Sequence, residues 1–244
     1  MLSTALSLTL ALATAVAGQT LNIPTRVGDI TSLPAASTLS AVNDYGNREF
    51  DRGMPCTSDD DTGSSSAVFV LRDGATLSNV IIGADALEGV HCLGACTLRN
   101  VWFRDVCEDA ISILGRGNAL IEGGGAQNAK DKVVQHNGRG TVTIKDYTVV
   151  TAGKLYRGCG NCSNNGGPRN VIIQNVKTRG VKQLVGINSN YGDTATISNA
   201  CGAGTKACQE FEGIEKDGKK ESPEVDTTAS CTRGPQGLGN LPAC

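Results

Sequence analysis

The chain has 244 residues, enough for one large domain or two small ones, with 31 glycines, 19% charged residues and 4% aromatic residues. Its formal net charge of −2 excludes a broad electrostatic attraction to nucleic acid or to a membrane surface, so any attraction for an anion must be local. Much glycine together with alternating Val, Ile, Thr and Asn is typical of a β protein with many turns.

The first 17 residues resemble a secretory signal. They contain no charged residue, carry a Leu/Ala-rich run at 2–13, and end in Ala-Val-Ala at 15–17, a pattern that favours cleavage by signal peptidase. The run is too short to span a bilayer, and no later segment replaces it. We therefore predict a signal peptide at 1–17 and a secreted, extracellular domain at 18–244 that does not insert into a membrane.

Ten cysteines remain after this cleavage, an even number that favours up to five disulfides in an oxidising compartment. They are Cys56, Cys92, Cys96, Cys107, Cys159, Cys162, Cys201, Cys208, Cys231 and Cys244. The sequence leaves their pairing open, although Cys231 and Cys244 are placed to attach the tail. A zinc site that combines Cys159 and Cys162 with Cys92 and Cys96 is the alternative, which the lack of a partner histidine pattern disfavours.

An internal repeat runs through the middle of the chain. Leu-Ser-Asn-Val at 77–80 is echoed by Leu-Arg-Asn-Val at 98–101, which lies 21 residues later. Looser copies follow at 120–121, 142–144, 171–173 and 194–197. A second series of short strands falls between them, at 90–92, 110–114, 132–136, 155–156 and 184–188, and corners rich in Gly, Asn and Asp separate the two series.

Several short strands in each period of about 22 residues, without helical periodicity, predict an all-β fold, a single-stranded right-handed parallel β-helix. Inward residues of successive coils, such as Val80 and Val101, would then stack as apolar ladders. Asn79 over Asn100 predicts a hydrogen-bonded ladder at a corner. An antiparallel sandwich is the competing all-β fold, but a sandwich does not require a constant echo.

Charged residues follow the same period. Asp109 and Asp131 are 22 residues apart, as are Lys132 and Lys154, so we expect rows of charge along one face of the solenoid. Neighbouring coils would bring the carboxylates of Glu88, Glu108 and Asp109 together, where they repel one another unless a cation lies between them. Oxygen ligands of this kind suit Ca²⁺. The simpler alternative is a solvated corner whose acids pair with Lys or Arg.

A basic set, Lys132, Lys154 and Arg157, lies one and two coils further on. Lysines stacked at one strand spacing favour an anionic ligand, and cationic neighbours would lower a lysine pKa and so provide a neutral amine base. Ordinary surface cations are the alternative.

Other polar features point to structural roles. The aspartates at 59–61 could bind a metal, but a solvated loop fits better, and the glycines at 123–125 fit a tight corner better than a phosphate loop. We expect His91 to be buried and hydrogen-bonded, and His136 carries no catalytic pattern.

At these residues the chain resembles the polysaccharide lyase family 3 pectate lyases, and most of all their secreted fungal members. The matching blocks include Glu-Gly-Val-His-Cys at 88–92, Val-Cys-Glu-Asp-Ala at 106–110, Asp-Lys-Val-Val-Gln-His-Asn-Gly at 131–138 and Gly-Lys-Leu-Tyr-Arg at 153–157. Further blocks lie at 74–77, 79–83, 100–102, 123–126, 159–162, 185–188 and 190–193. Gly158 and Arg104 depart from the family pattern, which commonly has a serine and an acid there; Arg104 could alter the rim of the groove.

The resemblance implies a β-helix that cleaves polygalacturonate, the backbone of pectin, by Ca²⁺-dependent β-elimination. It places the calcium carboxylates at Glu88, Glu108 and Asp109 and the essential cations at Lys132, Lys154 and Arg157. Lys132 is our choice for the general base, with Arg157 as the rival. We expect a monomer with a polysaccharide partner and no nucleic-acid partner. Two alternatives stay open: a hydrolase of the same polymer, and a non-catalytic wall-binding protein that kept the scaffold.

Overall fold

The computed structural model describes residues 21–57, 61–234 and 237–244. The predicted signal peptide lies outside them, as do Asp59 and Asp60. The described residues form these strands: β1 (Thr31–Ser32), β2 (Ser37–Leu39), β3 (Val42–Asp51), β4 (Ala67–Leu71), β5 (Ala75–Ile82), β6 (Glu88–Cys92), β7 (Cys96–Phe103), β8 (Asp109–Ile113), β9 (Ala119–His136), β10 (Gly140–Lys145), β11 (Thr148–Gly158), β12 (Arg169–Gln174), β13 (Lys177–Asn188), β14 (Ala195–Ser198), β15 (Lys206–Phe211), β16 (Glu224–Val225) and β17 (Cys231–Thr232). Short 3₁₀ turns occupy Ser64–Ser66 and Ser189–Tyr191. No helix in this described part is long and apolar enough to cross a membrane.

Successive coils pair in parallel, which confirms the right-handed parallel β-helix. One inward ladder runs through the residues Leu77, Leu98, Ile121, Ile144, Ile173 and Ile197, each in register with the next. Among the strands named above only β15 and β16 pair antiparallel, at the tail of the chain. The sandwich alternative is therefore wrong.

The length of a coil varies more than the sequence echo indicated. Val90 pairs with Ile111, Ile111 with Val134, and Val134 with Tyr156, steps of 21, 23 and 22 residues. The step from Tyr156 to Val185 takes 29 residues, because the chain leaves the coil as a loop at 159–168 before β12 begins. All five side chains of this ladder are fully buried and form part of the core.

The first corner of each coil is held by residues with a left-handed backbone. Asn79 and Asn100 have φ angles of 49° and 51°, and the Asn100 amide donates to Asn79 Oδ1 at 3.1 Å, which confirms the predicted ladder. Gly123 continues it with φ 67°, where a Cβ would lie only 2.4 Å from Asn100 Oδ1. The tight-corner interpretation of the glycines at 123–125 is thus also confirmed, since only glycine tolerates both constraints.

A second corner divides the longest strands. Asn128, Thr151 and Gly180 have φ angles of 64°, 57° and 65° and lie at equivalent points of β9, β11 and β13. Each of these strands therefore contributes to two different faces of the solenoid. The segments after this corner carry Lys132 and Lys154.

All ten cysteines form disulfides: Cys56–Cys107, Cys92–Cys96, Cys159–Cys162, Cys201–Cys244 and Cys208–Cys231. The zinc alternative is wrong, because Cys159 and Cys162 are bonded to each other and so are Cys92 and Cys96. The expected attachment of the tail through Cys231 and Cys244 is confirmed, and these bonds restrict the unfolded chain and so stabilise the fold.

Candidate active site

One column of residues crosses successive coils on the face that follows the corner at 128, 151 and 180. Asp109 pairs with Lys132, and Lys132 pairs with Lys154 on the following coil. Glu88 lies two residues before Val90, as Asp109 lies two before Ile111, so Glu88 precedes Asp109 in the column. The 22-residue period predicted that Asp109 lies beside Asp131. That register is wrong by one residue, because this coil has 23 residues and not 22.

The acidic residues line a cleft of about 180 Å³, whose walls include Glu88, Glu108 and Asp109. Asp61 and Gln135 also line it. Asp61 is exposed, as expected of a solvated loop, but it adds a fourth carboxylate, which the sequence did not predict at this site.

Glu88 is held firmly at the back of this cleft, with only 1% of its surface exposed. Its Oε1 accepts a hydrogen bond from the Thr62 N–H at 3.0 Å, and its Oε2 lies 3.2 Å from His91 Nε2. The other ring nitrogen of His91 lies 2.9 Å from Ser64 Oγ. The prediction of a buried, hydrogen-bonded His91 is confirmed, and its effect is to fix the Glu88 carboxylate.

The carboxyl groups of Glu108 and Asp109 are buried without enough nearby positive charge or hydrogen bonds to stabilise their ionised forms. Burial, reinforced by the charge of Asp109, raises the pKa of Glu108 to about 9, and burial raises the pKa of Asp109 to about 6. Asp109 Oδ1 is buried without a hydrogen-bond partner, and Lys132 Nζ lies 3.5 Å from it. A buried, unpartnered carboxylate oxygen beside a second carboxylate suits a hard cation.

The acidic cleft is an open site and not a closed cage. Within residues 21–57, 61–234 and 237–244, no three His, Cys, Asp or Glu side chains converge as a ready ligand set. The oxygens of Glu88 are already engaged by Thr62 and His91. The oxygens of Glu108 and Asp109 fit Ca²⁺ as ligands. The remaining ligands would come from water and substrate, or from Glu88 if it gave up its contact with Thr62 or His91.

The basic residues line an adjoining cleft of about 150 Å³ that contains Lys132, Lys154 and Arg157. Gln135 lines both clefts, so the two adjoin one another and together are called the groove. The six predicted site residues therefore lie around one groove, acidic at its upstream end and basic at its downstream end.

Asp131 links the two lysines. Its Oδ2 lies 2.6 Å from Lys132 Nζ and its Oδ1 lies 3.0 Å from Lys154 Nζ. This role of Asp131 was not predicted from the sequence, although its position directly before Lys132 was a usable signal.

The pKa of Lys132 is opposite to the expectation. Burial alone would lower it, but the negative charges of Asp109 and Asp131, and the hydrogen bond to Asp131, raise the pKa above its ordinary value. The prediction that cationic neighbours lower it was wrong, because carboxylates surround the ammonium more closely than Lys154 does.

Arg157 lies under the groove with 7% of its surface exposed. Its Nη1 donates to Asn188 Oδ1 at 2.9 Å, its Nη2 donates to Ser222 Oγ at 3.1 Å, and its guanidinium stacks 3.9 Å from the centre of the Phe211 ring. Burial lowers the pKa of Arg157 to about 10. The sequence did not predict the contact with Ser222, because nothing in the tail's composition indicates that residue 222 returns to the groove.

His136 and Arg104 have structural roles. His136 Nδ1 lies 2.8 Å from the Tyr156 hydroxyl, and His136 Nε2 is buried without a hydrogen-bond partner. Burial lowers the pKa of His136 to about 3. Arg104 donates two hydrogen bonds to the buried Glu49, at 2.7 and 2.8 Å, and lines neither cleft. Its contacts therefore do not support the suggested effect on the groove's rim.

Comparison with known proteins now decides the family. The pectate lyase family model matches residues 20–218. This chain belongs to the pectate lyase family. It is 51% identical over 200 residues to a probable pectate lyase E of Neosartorya fischeri, a match that covers 81% of this chain and 78% of the relative. Pectate lyase E of Emericella nidulans is 50% identical over the same shares of the two chains.

Solved pectate lyases share the fold. The catalytic domain of pectate lyase PelI from Erwinia chrysanthemi superposes with a TM-score of 0.72 and 32% identity, covering 87% of this chain and all of that domain. A second structure of that enzyme, in complex with tetragalacturonic acid, gives a TM-score of 0.69 and 33% identity, covering 85% of this chain and 70% of the other. Membership of the pectate lyase family makes the protein an enzyme of that class.

Proposed function

We propose that this protein is a secreted, monomeric pectate lyase that cleaves polygalacturonate by Ca²⁺-dependent β-elimination. The observation that carries the proposal is the contact between Asp109 and Lys132, where the acidic and basic clefts meet. A related enzyme was solved with tetragalacturonic acid, which supports the same class of substrate here. The five disulfides and the hydrophobic run at 2–13 support secretion.

The substrate carries one carboxylate on each sugar, and the proton at C5 lies next to that carboxylate. Ca²⁺ held by Glu108 and Asp109, with Glu88 behind them, would supply positive charge that stabilises the charge developing on the substrate carboxylate. Lys132 would accept the C5 proton. The electron pair of the C5–H bond then forms the C4–C5 double bond, and the C4–O bond breaks, so that the leaving oxygen departs with its electrons and takes a proton from water.

Lys132 must be neutral to act as the base; Asp131 raises its pKa, and so do Asp109 and Glu108, which are assigned to the cation. With their charge directed to a bound cation, they would no longer hold Lys132 in its protonated form to the same degree. Arg157 has a lowered pKa, yet both of its terminal nitrogens already donate to protein oxygens. Lys132 is therefore the better base.

Lys154 and Arg157 are assigned to binding substrate carboxylates. Lys154 is already paired with the carboxylate of Asp131, which supports a carboxylate as the group that it binds. Arg157 is preorganised by its stacking on Phe211, so that a substrate carboxylate would meet a guanidinium of fixed orientation.

Incubation with polygalacturonate tests the proposal. β-Elimination produces a conjugated, 4,5-unsaturated sugar end that absorbs ultraviolet light, and a chelator should abolish the signal until Ca²⁺ is restored. Reducing ends without new absorbance would instead indicate hydrolysis. Binding with neither signal would indicate a wall-binding protein.

A further inference from the structure

A cleft of about 310 Å³ lies on a different face from the catalytic groove. Its wall follows a column in which Trp102 pairs with Gly125, Gly125 with Thr148, and Thr148 with Lys177. The left-handed corner at 128, 151 and 180 separates this column from Lys132 and Lys154 on the same strands. The cleft is therefore independent of the catalytic machinery.

Gly125 lies between two residues of the cleft's wall, Trp102 and Thr148. A Cβ at Gly125 would lie 2.3 Å from Leu21 Cδ1, 2.5 Å from the Thr148 carbonyl oxygen and 3.3 Å from Trp102 Cζ3. The missing side chain thus lets Leu21 settle on the strand beside the indole. The Trp102 indole is half-buried, and among the described residues no other aromatic ring or cation stacks on it.

Polar groups surround the indole. Asn175 Nδ2 donates to Asp146 Oδ1, which fixes both corner side chains, and both residues line the cleft and are exposed. Thr148 adds a half-buried hydroxyl and Lys177 an exposed ammonium. An aromatic wall with donors and acceptors at its rim suits a sugar ring, since the apolar C–H face of the ring packs on the indole while its hydroxyls exchange hydrogen bonds.

Charge distinguishes this cleft from the catalytic groove. Its lining has one carboxylate, Asp146, and one ammonium, Lys177, which balance. On the other face, the basic cleft has three cations, Lys132, Lys154 and Arg157, against two carboxylates, Asp131 and Glu221. We propose that the Trp102 cleft binds a neutral sugar ring of a polysaccharide, and so holds the enzyme on chains that it does not cleave.

Trp102 is the one tryptophan in the 244-residue sequence, so intrinsic tryptophan fluorescence reports directly on this cleft. The full protein is titrated with cellotetraose, with β-1,4-linked galactotetraose and with trigalacturonate. We expect a saturable change with at least one of the neutral tetrasaccharides. Lys132→Ala should give the same titration curve, because the catalytic groove is not involved.

Two variants locate the response. Lys177→Ala should weaken binding of the neutral ligand roughly 3- to 10-fold, as expected for the loss of a hydrogen bond, while the initial rate on polygalacturonate stays unchanged. Lys145→Ala, outside the cleft, is the matched control.

Three results would overturn the proposal. One is the absence of a saturable change with both neutral sugars. Another is a response to trigalacturonate alone, and the third is a response that Lys132→Ala abolishes while Lys177→Ala leaves it intact. Circular dichroism of each variant confirms that the fold is retained.

Discussion

Lys132 Nζ lies 3.5 Å from Asp109 Oδ1, and the two residues are in register on adjacent coils. This contact joins an acidic cleft to a basic one within a single strand spacing, roughly 4.8 Å. In the proposed reaction this one strand spacing separates the cation, which stabilises the substrate carboxylate, from the amine of Lys132, which removes the proton at C5. The short distance is what allows both to act on one sugar.

Lys154→Ala should weaken the enzyme mainly through substrate binding. A charged hydrogen bond contributes about 1.5–3 kcal/mol, so kcat/KM on polygalacturonate should fall roughly 10- to 100-fold, with most of the change in KM. Lys145→Ala is the matched control, because Lys145 pairs with Glu122 at 2.6 Å and lines neither of the two catalytic clefts. A change in kcat alone would contradict a binding role for Lys154.

Asp131→Asn should strengthen the attraction for polygalacturonate. Asp131 neutralises part of the charge of Lys132 and Lys154, and asparagine keeps its shape without its charge. We expect a lower KM at low ionic strength and a steeper rise of KM with added salt, since salt screens the stronger field. Steady-state kinetics at several salt concentrations measure this. A higher KM at every concentration would mean that Asp131 acts chiefly by positioning the lysines.

Calcium should stabilise the fold through Glu108 and Asp109. At a concentration 100-fold above Kd, a bound ion adds about 2.7 kcal/mol, which corresponds to a rise in Tm of roughly 5–10 °C for a chain of this size. Glu108→Gln should remove most of this shift. Without calcium it should cost little, because a pKa near 9 means that the Glu108 carboxyl is already neutral at pH 7.

Thermal unfolding with calcium and with a chelator measures both effects. Glu122→Gln is the control, because Glu122 pairs with Arg99 and Lys145 outside the groove. An undiminished calcium shift in Glu108→Gln would contradict the assignment of Glu108 to the cation.

His136 should make the fold sensitive to acid. Its pKa is lowered from 6.5 to about 3, so the unfolded chain binds a proton that the folded protein rejects between these values. The contribution of neutral His136 is fully present above pH 6.5 and is lost as the pH falls from 6.5 towards 3, on the order of 3 kcal/mol by pH 4. The variant His136→Gln should not show this loss of stability, because glutamine does not titrate in this pH range.

Denaturant unfolding of both proteins at pH 7 and pH 4 provides the measurement. The free energy of unfolding of the wild type should fall more than that of His136→Gln. Equal losses in the two proteins would show that other groups cause the acid sensitivity.

Much of the fold followed from local patterns. The echo of Leu77–Val80 at Leu98–Val101 reported parallel stacking, because each coil must present the same apolar face to its neighbours. Asn79 and Asn100 marked a corner, since asparagine tolerates the left-handed backbone better than most residues. The site residues were found through the period and the family resemblance together.

Other features depend on tertiary structure that a period does not encode. One additional residue in the coil between Ile111 and Val134 moved the partner of Asp109 from Asp131 to Lys132. That shift surrounds Lys132 with carboxylates and raises its pKa, contrary to the expectation from stacked lysines. The contact between Arg157 and Ser222 joins residues 65 positions apart, across a tail without a repeat.

Chemical rescue of Lys132→Ala tests the central claim most directly. Loss of a general base should lower the elimination rate roughly 10²- to 10⁴-fold. Small primary amines should then restore ultraviolet absorbance in proportion to the concentration of free amine, whereas Lys154→Ala should show no such rescue. Full activity of Lys132→Ala without added amine, or rescue of Lys154→Ala alone, would contradict the assignment of Lys132 as the base.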